Sequence, residues 1–122
     1  MSTTTLAGKR ILVVEDEFMI AMLLEDLLTE LECVVAGVAA RPAEALEMIN
    51  ATELDAAVLD VNLDGTDSFG IAAALGERQI PFIFATGYGG SRLTPEFAHH
   101  PVIQKPYRID DLSGALRQLA FA

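Results

Sequence analysis

The sequence is short of cysteine and has no long apolar run, and each shortage excludes a class of protein. Cys33 is the only cysteine among 122 residues, so the chain forms no internal disulfide. Because Cys33 stands beside Val34 and Val35, we predict a buried structural thiol rather than a redox centre. No apolar stretch approaches the roughly 20 residues that a membrane-spanning helix needs.

We also predict that the amino terminus is not a secretory signal peptide. Residues 1–10 contain no apolar segment of the kind found in secretory signal peptides. Hydrophobic residues make up 52% of the chain, which is enough for a sizeable buried core. We therefore expect a soluble cytoplasmic protein with no membrane partner, in which residues 1–122 form one domain and no second domain is present.

Basic residues are scarce. Eight lysines and arginines stand against 18 acidic residues, which gives a formal net charge of −10. Nucleic-acid binding normally requires a basic surface that neutralises phosphates, so we expect no nucleic-acid partner. The acidic excess has two interpretations, a solvated surface that aids solubility or a group of acids that converges on a cation.

Short apolar runs alternate with amphipathic segments along the chain. The predicted strands cover residues 11–14, 33–40, 56–60, 81–86 and 102–104. The predicted helices cover residues 17–31, a segment that starts at 42, residues 69–77 and residues 110–120. This alternation predicts an α/β fold, a doubly wound five-stranded parallel sheet with helices on both faces. Glycines and prolines crowd residues 87–101, so any fourth helix, near residues 95–98, is predicted to be short or poorly ordered.

Chemically active side chains stand where the predicted strands end. Glu15 and Asp16 follow the first strand, Asp60 ends the third, Thr86 ends the fourth and Lys105 follows the fifth. Ligands of open parallel sheets bind beyond the carboxyl ends of the strands. Any one of these residues alone has an ordinary explanation, such as a helix cap or a surface charge, but the combination points to a site.

The chemistry of this set suggests phosphoryl transfer. Clustered carboxylates repel one another, and a hard cation such as Mg²⁺ relieves that repulsion. Asp16 and Asp60 would supply oxygens directly or through water, and the main-chain carbonyl of Asn62 would supply another. Asp60 would attack phosphorus to form an aspartyl phosphate. Mg²⁺ and Lys105 would offset charge on the transferring oxygens, while the Thr86 hydroxyl would bond to one of them.

Four segments resemble the receiver domains of bacterial two-component response regulators. Residues 11–17 resemble the opening strand with its acidic pair, residues 58–63 the phosphoacceptor strand, and residues 105–107 the closing lysine-proline motif. Residues 84–87, Phe-Ala-Thr-Gly, are similar to the segment that names an alphaproteobacterial subgroup of single-domain regulators.

The resemblance implies a flavodoxin-like fold with strand order 2-1-3-4-5. It implies that Asp60 is phosphorylated by a sensor histidine kinase, that Glu15 and Asp16 belong to a Mg²⁺ site, and that Thr86 and Lys105 contact the phosphoryl group. Val102 departs from the family, because many receivers have an aromatic switch residue there. The signal would then travel through ordering of residues 87–91.

We expect a signalling module that acts by binding an unknown downstream protein, as a monomer or a phosphorylation-dependent dimer, and not a turnover enzyme. One alternative is a receiver-like binding module that is not regulated by phosphorylation. The other is a small Mg²⁺-dependent phosphatase with an aspartate nucleophile. Such phosphatases typically have a second aspartate two residues after the nucleophile, where this chain has Asn62.

Overall fold

The computed structural model describes residues 6–63, 66–86, 102–105 and 107–119. Five strands form one sheet: β1 (Arg10–Val14), β2 (Val34–Ala39), β3 (Ala56–Asp60), β4 (Phe82–Thr86) and β5 (Val102–Gln104). All neighbouring pairs are parallel, and their order is β2-β1-β3-β4-β5. The predicted parallel sheet and its strand order are confirmed.

Four helices are found in the described ranges: α1 (Phe18–Glu30), α2 (Pro42–Ala51), α3 (Phe69–Glu77) and α4 (Ile109–Arg117). The bounds of α3 and the start of α2 agree with the prediction, whereas the bounds of α1 and α4 differ from the predicted ones by one to three residues, most at the end of α4. The predicted helix near residues 95–98 and the glycine-rich residues 87–91 lie outside the described residues. No helix that the structure describes combines the length and apolar character needed to cross a bilayer.

The sheet has an apolar layer on each face because successive side chains of a strand point to opposite sides. One face is covered by α1 and α4, and its buried members include Ile11, Val13, Leu24, Leu28, Val58, Ile83, Leu112 and Leu116. The other is covered by α2 and α3, and its largest members are Leu12, Leu59, Ile49, Ile71, Leu75, Phe82 and Phe84. Helices therefore cover both faces, as predicted.

The thiol of Cys33 lies in the layer beneath α1, and the residue is only 7% exposed. Burial raises the pKa of the thiol above its usual value. A thiol that stays protonated is a weak nucleophile. These observations agree with the predicted structural role.

Candidate functional site

The parallel sheet brings the predicted site residues to one edge. Asp60 and Thr86 are the last residues of β3 and β4, and Glu15 and Lys105 directly follow β1 and β5. Main-chain hydrogen bonds continue past the last paired residues, for example from the amide of Lys105 to the carbonyl of Thr86 at 3.1 Å. The hydrogen-bonded backbone therefore fixes the positions of the Cα atoms of these residues.

Lys105 joins two of the acids. Its ammonium Nζ lies 2.8 Å from Oδ2 of Asp60 and 2.9 Å from Oε1 of Glu15. The Lys105 side chain is 14% exposed, whereas the side chains of Asp60 and Glu15 are 6% and 0% exposed. A cation between two buried carboxylates replaces part of the hydration that they lose on folding.

Glu15 has further partners. Its Oε2 accepts a hydrogen bond from the main-chain amide of Glu17 at 3.2 Å. Its Oε1 accepts a hydrogen bond from the hydroxyl of Tyr107 at 3.4 Å. The Glu17 contact lies at the start of α1, where Glu17 is the cap residue and makes no side-chain cap bond. Glu15, rather than Asp16, therefore binds the amide at the entrance of this helix.

The charges at this edge shift the pKa values of their neighbours. Burial raises the pKa of Glu15 to about 7, and Asp60 adds to the rise while Lys105 and the Glu17 amide oppose it. Burial works against the charged form of Lys105, but its bonds to Asp60 and Glu15 outweigh that effect and raise its pKa. Burial and the nearby carboxylates also raise the pKa of the Tyr107 hydroxyl.

The acids form a cluster suited to a hard cation. Glu15, Asp16 and Asp60 each place a carboxylate oxygen within 4.8 Å of the others. Glu15 and Asp60 are buried and Asp16 is half-buried, so Asp16 is the member of the cluster that is most accessible to solvent. Carboxylate oxygens are the donors that Mg²⁺ and Ca²⁺ prefer, and Mg²⁺ typically keeps several waters on such a site. The donor set therefore fits a divalent cation.

Thr86 and Val102 lie near this edge on neighbouring strands. Thr86 is only 1% exposed and ends a fully buried strand. Val102 is half-buried, packs against the layer beneath α2 and α3, and pairs with Phe84 of β4. An aliphatic side chain thus fills the position at which many receivers have an aromatic residue.

A short antiparallel hairpin follows the site. Asn62–Leu63 pairs with Thr66–Asp67, between the third predicted strand and the helix predicted from residue 69, where no strand was predicted. The missed signal is the Asp64-Gly65 dipeptide, which is typical of two-residue hairpin connections. Asn62, the predicted carbonyl ligand, is therefore part of a paired segment.

The sequence also did not reveal the contact that Tyr107 makes with the site. The residue lies in the layer beneath α1 and α4. Its bond to Glu15 joins residues 92 positions apart. No local sequence pattern predicts such a contact, because a tyrosine after a lysine-proline pair has no feature that distinguishes it from any other aromatic residue.

Comparison with known proteins gives a consistent match. The family model described as the response regulator receiver domain matches residues 11–117. The transcriptional regulatory protein TcrA of Mycobacterium tuberculosis is 34% identical over 121 residues, covering 93% of this chain and 47% of TcrA. The chain therefore spans about half the length of the curated relatives that it matches.

Two solved structures are more similar. The solution structure of SdrG from Sphingomonas melonis Fr1 has a TM-score of 0.81 and 44% identity, covering 89% of this chain and 93% of SdrG. The BeF3-activated conformation of SdrG from Pseudomonas melonis Fr1 has a TM-score of 0.79 and 44% identity, covering 90% and 94%.

Proposed function

Because this chain belongs to the response regulator receiver family, we propose that it accepts a phosphoryl group on Asp60 from a sensor histidine kinase in a Mg²⁺-dependent reaction. The observation that carries this proposal is the position of Lys105, 2.8 Å from Asp60 and 2.9 Å from Glu15 at the carboxyl edge of the sheet. A cation so placed can stabilise negative charge that arrives on Asp60.

In the proposed step, a carboxylate oxygen of Asp60 attacks the phosphorus of a phosphohistidine. A phosphorus–oxygen bond forms, the phosphorus–nitrogen bond breaks, and the electron pair leaves with the imidazole nitrogen. Lys105 bonds to the transferred oxygens and offsets their charge. Thr86, held at the end of the neighbouring strand, donates its hydroxyl to one of them.

The cation site of this proposal consists of Glu15, Asp16, Asp60 and the main-chain carbonyl of Asn62. Mg²⁺ bound there would offset the charge on the attacking and transferred oxygens. Asp16 is the half-buried member of this set, whereas Glu15 and Asp60 are buried. Glu15 contributes mainly by holding Lys105, since its oxygens already bond to Lys105, Tyr107 and the Glu17 amide.

A surface for the phosphodonor lies beside the cluster. The first two turns of α1 expose four large apolar side chains, with Phe18 at 74%, Met19 at 76%, Met22 at 44% and Leu23 at 38%. Phe18 is only two residues after Asp16 in the sequence. Exposed apolar patches next to a reactive group are typical of protein contacts. We therefore assign this surface to the kinase.

We propose that the output is binding to another protein and that the chain is not a turnover enzyme. Asn62 occupies the position at which aspartate-nucleophile phosphatases typically have their general acid. The net charge of −10 disfavours direct contact with nucleic acid. The activated conformation of SdrG supports regulation at this site, because BeF3 is a phosphoryl mimic. Membership of the Phe-Ala-Thr-Gly subgroup stays a prediction.

The test is the intact mass of the protein after incubation with Mg²⁺ and acetyl phosphate. We expect one added phosphoryl group on the wild type, none on Asp60→Asn, and none when a chelator removes the metal. Asp26→Asn, which changes an exposed aspartate on α1, is the matched control and should be modified like the wild type. Modification of Asp60→Asn to the wild-type extent would disprove the assignment.

A further inference from the structure

We propose that the hairpin formed by Asn62–Leu63 and Thr66–Asp67 is a scaffold that holds the main-chain carbonyl of Asn62 in position for the cation. This inference rests on the proposed function, since it concerns the same metal site. It assigns a positioning role to Thr66 and Ser68, which no motif of the sequence singles out.

The register of the hairpin determines which main-chain groups are used. Asn62 pairs with Asp67 and Leu63 pairs with Thr66. The amide of Ser68 donates to the carbonyl of Val61 at 3.1 Å. In an antiparallel ladder, pairs that exchange two hydrogen bonds alternate with pairs that exchange none. The bond between Ser68 and Val61 makes Asn62–Asp67 a pair that exchanges none, so Leu63 and Thr66 exchange two.

The main-chain carbonyl of Asn62 therefore points away from Asp67 and accepts no hydrogen bond within the hairpin. The residues on both sides are fixed. Val61 donates its amide to the carbonyl of Ala85 at 3.0 Å and accepts the Ser68 amide, while Leu63 is paired with Thr66. A carbonyl held between two anchored residues is preorganised for a ligand, which lowers the entropy cost of binding.

Ser68 is the outer anchor of this scaffold. It is fully buried, and its hydroxyl also donates to the carbonyl of Val61, at 3.4 Å. It precedes α3, and its carbonyl accepts the amide of Ala72 in the first turn of that helix. An isolated hairpin of two pairs is marginally stable at best. The packing of α3 against the sheet thus holds a hairpin that would not persist alone.

A pair of proline substitutions tests the register. Thr66→Pro removes an amide that bonds to Leu63, whereas Asp67→Pro removes one that faces outward, where proline is tolerated. Thr66→Ala and Asp67→Ala remove the side chains and keep the amides, so they report on side-chain loss alone. The dissociation constant of Mg²⁺ is measured by calorimetric titration, and the melting temperature without metal reports on the fold.

We expect Thr66→Pro to weaken Mg²⁺ binding about tenfold, within the range for losing a group that orients a ligand. Asp67→Pro should bind Mg²⁺ as Asp67→Ala does, and Thr66→Ala as the wild type does. Equal affinity of folded Thr66→Pro and Thr66→Ala would overturn the inference, and so would equal weakening by the two prolines. If Thr66→Pro does not fold, the Mg²⁺ affinity of Ser68→Ala is the deciding measurement. An affinity equal to that of the wild type would overturn the positioning role, and a weaker affinity would support it. Absence of Mg²⁺ binding by the wild type would instead refute the metal site of the proposed function.

Discussion

At the scale of single residues, the site depends on the balance of charge around Lys105. The one ammonium of Lys105 lies within salt-bridge distance of two buried carboxylates, those of Glu15 and Asp60. Removing one partner of a buried pair leaves the other charge without compensation, which costs more than the pair contributes. Lys105 therefore stabilises the fold as well as the transferred group.

We predict that Lys105→Met lowers the free energy of unfolding in metal-free buffer. A fully buried pair loses ~3–5 kcal/mol when one partner is removed, and the partial exposure of Lys105 reduces the expected loss to about 2 kcal/mol. Urea denaturation at neutral pH measures it. Arg41→Met, which removes an exposed cation before α2, should have little effect. Adding Asp60→Asn to Lys105→Met should restore part of the loss, and no recovery would contradict the electrostatic explanation.

At the scale of elements, α1 and α3 both end with a residue in the left-handed region. Glu32 follows α1 with a φ of 69°, and Gln79 follows α3 with a φ of 60°. The amide of Cys33 donates to the carbonyl of Leu28, and the amide of Ile80 donates to the carbonyl of Leu75. The backbone therefore turns sharply at the end of each helix. Glycine is the residue that usually occupies such positions.

We predict that Glu32→Gly stabilises the protein. Glycine adopts a positive φ without the steric cost of Cβ, and we expect the free energy of unfolding to rise by about 0.5–1 kcal/mol. Glu25→Gly, in the interior of α1, should lower it by about 0.5 kcal/mol, since glycine is a poor helix former. Both values come from urea denaturation. A loss of stability in Glu32→Gly would show that the glutamate side chain contributes more than the backbone strain costs.

The exposed start of α1 gives a second prediction for this scale. Phe18→Ser should slow phosphoryl transfer from any sensor kinase that phosphorylates the wild type by at least about fivefold, as for an apolar contact residue of an interface. Phosphorylation by acetyl phosphate should be unchanged, because that donor needs no docking surface. Leu46→Ser, an exposed leucine on α2, is the control. Equal loss with both donors would mean that the substitution damages the site itself.

At the scale of the whole molecule, the charge of −10 and the clustered acids have separate effects on stability. Any salt screens the general repulsion among acidic side chains. A specific cation acts only through the cluster of Glu15, Asp16 and Asp60. Comparison at constant ionic strength therefore separates the two.

We predict that Mg²⁺ stabilises the protein beyond the effect of ionic strength. A hundredfold excess over the dissociation constant should raise the free energy of unfolding by ~2.7 kcal/mol. Urea denaturation with Mg²⁺ replacing an equivalent ionic strength of NaCl measures this rise. Asp16→Asn should lose most of it. The same rise in Asp16→Asn and the wild type would indicate screening rather than a metal site.

The sequence by itself determined the order of strands and helices. Aliphatic runs such as Ile11–Val14 and the three-and-four spacing of leucines in α1 are local patterns, and they predicted these elements to within one residue. It also indicated the site, because polar residues that end parallel strands must meet at one edge. The hairpin after Asp60 was missed, although Asp64-Gly65 is a local signal for it.

Only the tertiary structure decided how the site residues are paired. The bond from Lys105 to Asp60 spans 45 positions of the chain, and that from Tyr107 to Glu15 spans 92. Such contacts depend on strand register and on which helix packs beneath each strand, and neither leaves a periodic trace in the sequence. The sequence therefore indicated which reactive side chains are present. Tertiary packing determined which carboxylate bonds to Lys105 and which bonds to Tyr107.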